Sequence, residues 1–152
     1  MDNKIVDTKH KEDVHKMMLD VENAIAQLPG AVFGDSGCPL KHSYGDGCYI
    51  REIFMRKGML LTSKIHKKQH PYFVLSGDVS VYSDTGTVRI KAPYYGITEP
   101  GTKRVLYTHE DTVWVTVHVT DKKDLKDIEE EIIAKTFDDI LPVGKENIKL
   151  EV

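Results

Sequence analysis

Between Tyr49 and Val119 short apolar or alternating runs are cut repeatedly by turn residues. Tyr49 to Met55 stops at Arg56-Lys57-Gly58. Val79 to Tyr82 meets Ser83-Asp84-Thr85-Gly86, a hairpin signal, and Thr87 to Ala92 follows as its partner. Pro93 and Gly96 break the next piece, and a short strand near Ile97 ends at Glu99-Pro100-Gly101. Arg104 to Thr108 and Thr112 to Val119 complete the series. In the last run Val113, Val115, Val117 and Val119 alternate with Thr112, Trp114, Thr116 and His118. Strands this short and this regularly punctuated predict an all-β sandwich or barrel.

The stretch from Gly58 to Gly77 organises this series. Leu60, Thr62, Lys64 and His66 fall on one face of a strand, and Met59, Leu61, Ser63 and Ile65 on the other. Both faces carry apolar residues, so both are expected to be partly covered. Tyr72 to Ser76 is the return strand. If Lys64 and His66 face inward, the return brings His70 and Tyr72 beside them. One of Arg51 and Glu52 is also expected to point inward.

Two helices flank the strands. Val14, Met17, Met18, Val21, Ile25 and Leu28 make an apolar stripe over about His10 to Leu28, stopped by Pro29-Gly30. Residues 1–9 read as a frayed start, and His10 and His15 as solvent-facing. Leu125, Ile128, Ile132 and Ile133 mark a second helix over about Lys123 to Lys135, capped by Thr120 or Asp121. Glu129, Glu130 and Glu131 read as its solvated face. Ile148 to Val152 alternates and could add an edge strand. One structural domain is expected: helix and loop over 1–48, barrel core over 49–119, helix and tail over 120–152. The loop over 29–48 holds Cys38, His42, Tyr44 and Cys48 without the paired spacing of a structural zinc site. Folded over the barrel mouth, it would deliver His42 toward His66 and His70.

The 152 residues carry a net charge of −3. This gives no electrostatic footprint for duplex nucleic acid. No apolar run is long enough for a membrane span, and the first residues are not a signal peptide, so a cytoplasmic location with free thiols is expected.

Gly58, Lys64, His66, His70 and Gly77 occupy the five marked positions of G-x5-H-x-H-x3-E-x6-G, the first motif of cupins. Lys64 stands where that motif has its first His, and His70 where it has Glu. Glu99 to Arg104 resembles the second motif, with Lys103 near the fourth ligand position. The resemblance runs from about Tyr49 to Val119. It implies a single cupin (jelly-roll) barrel with an N-terminal and a C-terminal α-helix, and a homodimer. Pro39 to His42, Leu60 to His66, Pro100 to Arg104 and Glu110 to His118 further resemble short cupin-like proteins of tailed phages, which implies the host cytoplasm.

Three functional readings follow. In the first, a His/Lys-lined pocket binds a small polar or anionic ligand. Lys64, Lys103 and Arg104 would hold its anionic group, His66 or His70 would bond or act as a base, and Tyr72, Tyr49 or Trp114 would stack on a ring. In the second, His66 and His70 bind one divalent transition metal (Fe, Mn, Ni, Cu or Zn) with His42, His118 or a carboxylate as third ligand. In the third, the barrel is a structural or interaction module. No particular reaction is implied.

Overall fold

The computed structural model describes residues 2–31 and 37–136, with side chains from Lys9 onward. Helix α1 spans Asp2–Ala26. It starts earlier than the apolar stripe suggests, because no Pro or Gly interrupts the chain before Pro29. Val14 and Met18 on this helix are buried, whereas Met17 and Leu28 are 44% and 57% exposed, so only part of the stripe is covered. His10 is exposed as expected, but His15 is half-buried.

The first strand was not anticipated. β1 (Leu40–Gly45) pairs antiparallel with β2 (Cys48–Met55) through a tight turn at Asp46-Gly47. Asp-Gly between two alternating runs is a hairpin signature, and here it converts an expected loop into an edge strand. The expected strand over Leu60 to His66 is divided into β3 (Leu60–Thr62) and β4 (Ile65–His66). Ser63 sits at the break: its N–H donates to the Arg104 carbonyl, and its own carbonyl accepts from Lys103 Nζ. β5 (His70–Ser76), β6 (Asp78–Ser83), β7 (Gly86–Lys91), β8 (Tyr94–Thr98), β9 (Val105–Thr108) and β10 (Thr112–Val119) follow.

Two antiparallel sheets face each other, in the orders β1-β2-β10-β5-β8 and β3-β9-β6-β7. Between them pack Met55, Tyr72, Val74, Val79, Val81, Ile90, Leu106 and Trp114. Thr112, Trp114, Thr116 and His118 form the buried inner face of β10. Its valines lie on the outer face, beside exposed Phe73, Leu75, Tyr95 and Ile97.

Helix α2 (Leu125–Ile132) is shorter than expected. Its cap is Asp124, whose carboxylate accepts from the Lys126 and Asp127 N–H groups, in place of Thr120 or Asp121. After Ile132 the backbone becomes extended, and β11 (Ile133–Ala134) pairs with β4. Glu131 is not a solvated bystander. It accepts from Lys68 and Thr120, and the Lys68 ammonium holds its carboxyl down to about 2. The expected edge strand at Ile148 to Val152 lies outside the described residues.

Ile128 is fully buried with Ile132 against Tyr49. Ile128→Ala is expected to cost about 3 kcal/mol, from lost burial and the cavity left behind. Chemical denaturation measures this; a loss below about 1 kcal/mol would contradict the packing.

Candidate metal centre

Three strands bring three histidines together. β4 ends at His66, opposite Ile133. The turn to β5 is tied down by Lys67 N–H donating to the Ile132 carbonyl and by Gln69 Nε2 donating to Glu99. β5 opens on His70. Thr116 pairs with Tyr72 across β10 and β5. Two residues further along each antiparallel strand, His118 comes beside His70. Ring centroids are 4.4 Å apart for His66–His70, 4.4 Å for His70–His118 and 5.3 Å for His66–His118. One nitrogen from each ring lies within 4.8 Å of the others.

The hydrogen bonds differ instructively. His70 Nδ1 lies 3.1 Å from the Lys68 carbonyl, which can only accept, so Nδ1 carries the proton and Nε2 the lone pair. His118 Nε2 is bonded to Thr116 Oγ1 at 2.9 Å. His66 is 7% exposed, and neither of its ring nitrogens has a hydrogen-bond partner among the described residues.

All three rings are held neutral. Burial pushes His66 down to about 2, reinforced by His70, His118, Arg51 and Arg104. Burial, with His70 and Arg51 adding, pushes His118 down to about 3. Burial also lowers His70, partly opposed by its bond to the Lys68 carbonyl. Neutral imidazoles are what a metal ion requires.

This arrangement makes folding pH-dependent in the metal-free protein. The folded values lie below the ordinary 6.5, so the unfolded chain binds protons first as pH falls. Stability is full above about pH 6.5 and is lost progressively as pH falls, through about 3 for His118 and toward about 2 for His66. Between pH 7 and pH 5 the loss is on the order of 2 kcal/mol for each strongly shifted ring. Denaturant midpoints of chelator-treated protein at the two pH values test this, and equal midpoints would contradict it.

Of two cavities, one borders the centre. This one, of about 120 Å³, lies inside the barrel, lined by Arg51, Lys64, His66, His70, Arg104 and Thr116, with apolar walls that include Leu106 and Trp114. The other, about 630 Å³, lies outside, between the end of α1 and β3. The smaller one is the candidate ligand cavity, because His66 and His70 line it.

The other residues singled out in the sequence are dispersed. Lys64 borders both cavities. Tyr72 belongs to the core, stacked on Trp114. Lys103 lines the outer cavity, where its ammonium donates to Glu22 at 2.9 Å and to the Ser63 carbonyl at 3.1 Å. His42 is no lid residue. It sits on β1, separated from β10 by β2, and its Nδ1 is bonded to the Tyr49 hydroxyl at 2.7 Å. His42 therefore lies outside the trio, and His118 completes it. Arg51 does face inward and borders the histidine cavity.

Two facing antiparallel sheets with helices at either end define a jelly-roll barrel. No protein-family model matches the sequence, and no curated protein matches it significantly. Solved structures with similar folds include a cupin 2 domain-containing protein from Halorhodospira halophila, 14% identical over 67% of this chain and 81% of its own, at a TM-score of 0.49. A cupin-2 domain containing protein from Shewanella frigidimarina is 6% identical over 54% and 80%, at 0.45. An acetylacetone dioxygenase from Acinetobacter johnsonii is 19% identical over 60% and 65%, at 0.47.

Proposed function

We propose that this chain is a metal-binding cupin-like barrel, in which His66, His70 and His118 hold one divalent transition metal beside a cavity for a small polar or anionic ligand. The observation that carries this reading is His66. Both its nitrogens are buried without a partner among the described residues. Leaving a buried polar group unsatisfied costs about 1–3 kcal/mol. A metal ion would take the lone pair of one nitrogen and remove part of that cost. The donor set also fits: three neutral imidazoles suit Zn, Cu, Fe or Ni, and Mn with weaker preference. Metal–nitrogen bonds of about 2.0–2.1 Å keep two donors within about 4.2 Å. The trio, spread over up to 4.8 Å, would draw in slightly on loading.

Such a metal would supply Lewis-acid or redox chemistry at positions the protein leaves open. The His70 proton bond to Lys68 would fix that ring for ligation through Nε2, as an outer-shell carbonyl commonly does. The lysines at two of the usual cupin ligand positions are no obstacle here. His118 supplies the third nitrogen, and Lys103 is engaged elsewhere by Glu22. Titration of chelator-stripped protein with Co²⁺, followed by visible absorption, tests the reading. One equivalent bound supports it, and no spectral change up to millimolar Co²⁺ overturns it.

The same proposal includes a homodimer. Phe73, Leu75, Tyr95 and Ile97 make an exposed apolar area on the outer face of the five-stranded sheet. No described element covers it, and such areas mark association surfaces. Sedimentation velocity is expected to give twice the chain mass of 17.2 kDa, and a monomer would contradict it. The phage-like runs at Leu60 to His66 and Glu110 to His118 support a phage-encoded protein working in the host cytoplasm.

A further inference from the structure

The Arg104 guanidinium is held on several sides. Its Cζ lies 5.0 Å from the Tyr72 ring centroid and 5.9 Å from that of Trp114. Those rings stack on each other at 4.7 Å and 13°. Tyr72 in turn lies so close over Gly96 that a Cβ there would sit 2.7 Å from the phenolic oxygen. The Arg104 N–H donates to Ser63 Oγ at 2.8 Å, and Nη2 donates to Thr98 Oγ1 at 3.0 Å. Thr98 is the side chain's hydrogen-bond partner among the described residues. A guanidinium has five N–H donors, so most remain for whatever enters the cavity that Arg104 lines.

The charged residues bordering that cavity, Arg51, Lys64 and Arg104, are all basic, and none of its described lining residues is Asp or Glu. A divalent ion on the histidines would add positive charge. Arg104 hydrogen-bonds to no carboxylate among the described residues, so a molecule that takes up its remaining donors is expected to bring negative charge. The volume limits its size: about 120 Å³ is well below the roughly 300 Å³ at which pockets begin to take drug-sized molecules. The walls limit its chemistry further. Ile53, Met55, Leu61 and Leu106 form an apolar part of a lining that also holds Thr62, Ser63 and Thr116, so an anion with a carbon body matches it better than phosphate or sulfate, which are polar on every side.

We propose that the barrel cavity binds a short-chain carboxylate, with Arg104 as its anchor and the apolar wall around its carbon body. The planar fork of arginine matches a carboxylate with two parallel hydrogen bonds, and its seat on Tyr72 fixes the plane of that fork before the ligand arrives. This deepens the metal-site reading and rests on it only for the far end of the ligand. A second oxygen there, as in a 2-oxo acid, would meet the histidine trio.

The test is calorimetric titration of wild-type protein, both chelator-stripped and Co²⁺-loaded, with acetate, propionate, pyruvate, phosphate and sulfate. Propionate and pyruvate are expected to bind both forms, with phosphate and sulfate at least about 10-fold weaker. Arg104→Lys keeps the charge but loses the fork, and is expected to weaken the carboxylates at least about 10-fold. Arg104→Gln should weaken them further, with thermal melts showing that both variants remain folded. Pyruvate gaining over propionate only in the Co²⁺-loaded form supports the placement of its second oxygen. Carboxylate binding to stripped protein that takes up no Co²⁺ supports Arg104 as anchor and removes the metal reading. Co²⁺ uptake with no carboxylate binding removes this proposal and leaves the metal reading. Phosphate binding as tightly as propionate, or carboxylate affinity unchanged in both variants, overturns it.

Discussion

His66→Ala is expected to lower Co²⁺ affinity at least about 100-fold, and His118→Ala to do the same, while His42→Ala leaves it within a few-fold of wild type. Loss of a supporting outer-shell group from a metal site commonly costs 10–100-fold, so loss of a ligand should cost no less. The contrast matters because both His118 and His42 were candidates for the third ligand. Geometry separates them. His118 shares β10's inner face with Thr116, and its ring stacks against His66 at 5.3 Å. His42 reaches only Tyr49, whose ring intervenes with centroids 5.9 Å from His42 and 5.8 Å from His118. His66→Ala also removes the unsatisfied nitrogens, so the variant should not lose much stability at neutral pH. Visible Co²⁺ spectra of the three variants, beside their thermal melts, give the answer. Equal losses in His42→Ala and His118→Ala would contradict the assignment.

Gly77→Ala is expected to destabilise the protein by roughly 3 kcal/mol or more. Gly77 links β5 to β6 at φ +109°, a conformation that side-chain-bearing residues rarely adopt. Space is the larger problem. A Cβ there would lie 2.3 Å from Thr112 Oγ1, 2.6 Å from Thr112 Cα and 2.7 Å from the Asp111 carbonyl. Two of those atoms are backbone and cannot rotate away. Relief would require moving the start of β10, the strand that carries Trp114, Thr116 and His118. Gly58→Ala is the matched control: its φ is +78°, but no described atom lies within 4 Å of a Cβ there. That change should cost only the conformational term, about 1–2 kcal/mol. Urea denaturation compares the two, and a Gly77→Ala loss no greater than that of Gly58→Ala would contradict the close contact.

The two glycines also show what could be read in the sequence. Both stood at the motif positions that suggested the barrel, and the turns between strands carried ordinary Gly, Pro and Asp signals. His66 and His70 were legible for the same reason, since a local spacing placed them at the two ends of one turn. β1 was hidden by its composition. Gly, Pro, Ser and Asp upstream suggested a loop, although the Asp46-Gly47 pair and the alternation of Leu40, His42 and Tyr44 were present. The inner face of β10 could not be chosen, because polarity does not separate its two sides. Valines occupy an outer face that is itself apolar, while threonines, Trp114 and His118 face inward. Lys103 was placed in the pocket by its motif position, but its partner Glu22 lies 81 residues away on α1, and no local pattern reveals such a pairing. Arg104 owes its seat to Tyr72 and Trp114, brought together from two neighbouring strands.

Elemental analysis of protein purified without an affinity tag, wild type beside His66→Ala/His70→Ala, tests the metal centre most directly. About one equivalent of Fe, Mn, Ni, Cu or Zn per chain in the wild type, absent from the double variant, is the predicted result. Wild-type protein that carries no metal and takes none up on reconstitution, or a double variant that retains the full equivalent, would contradict it.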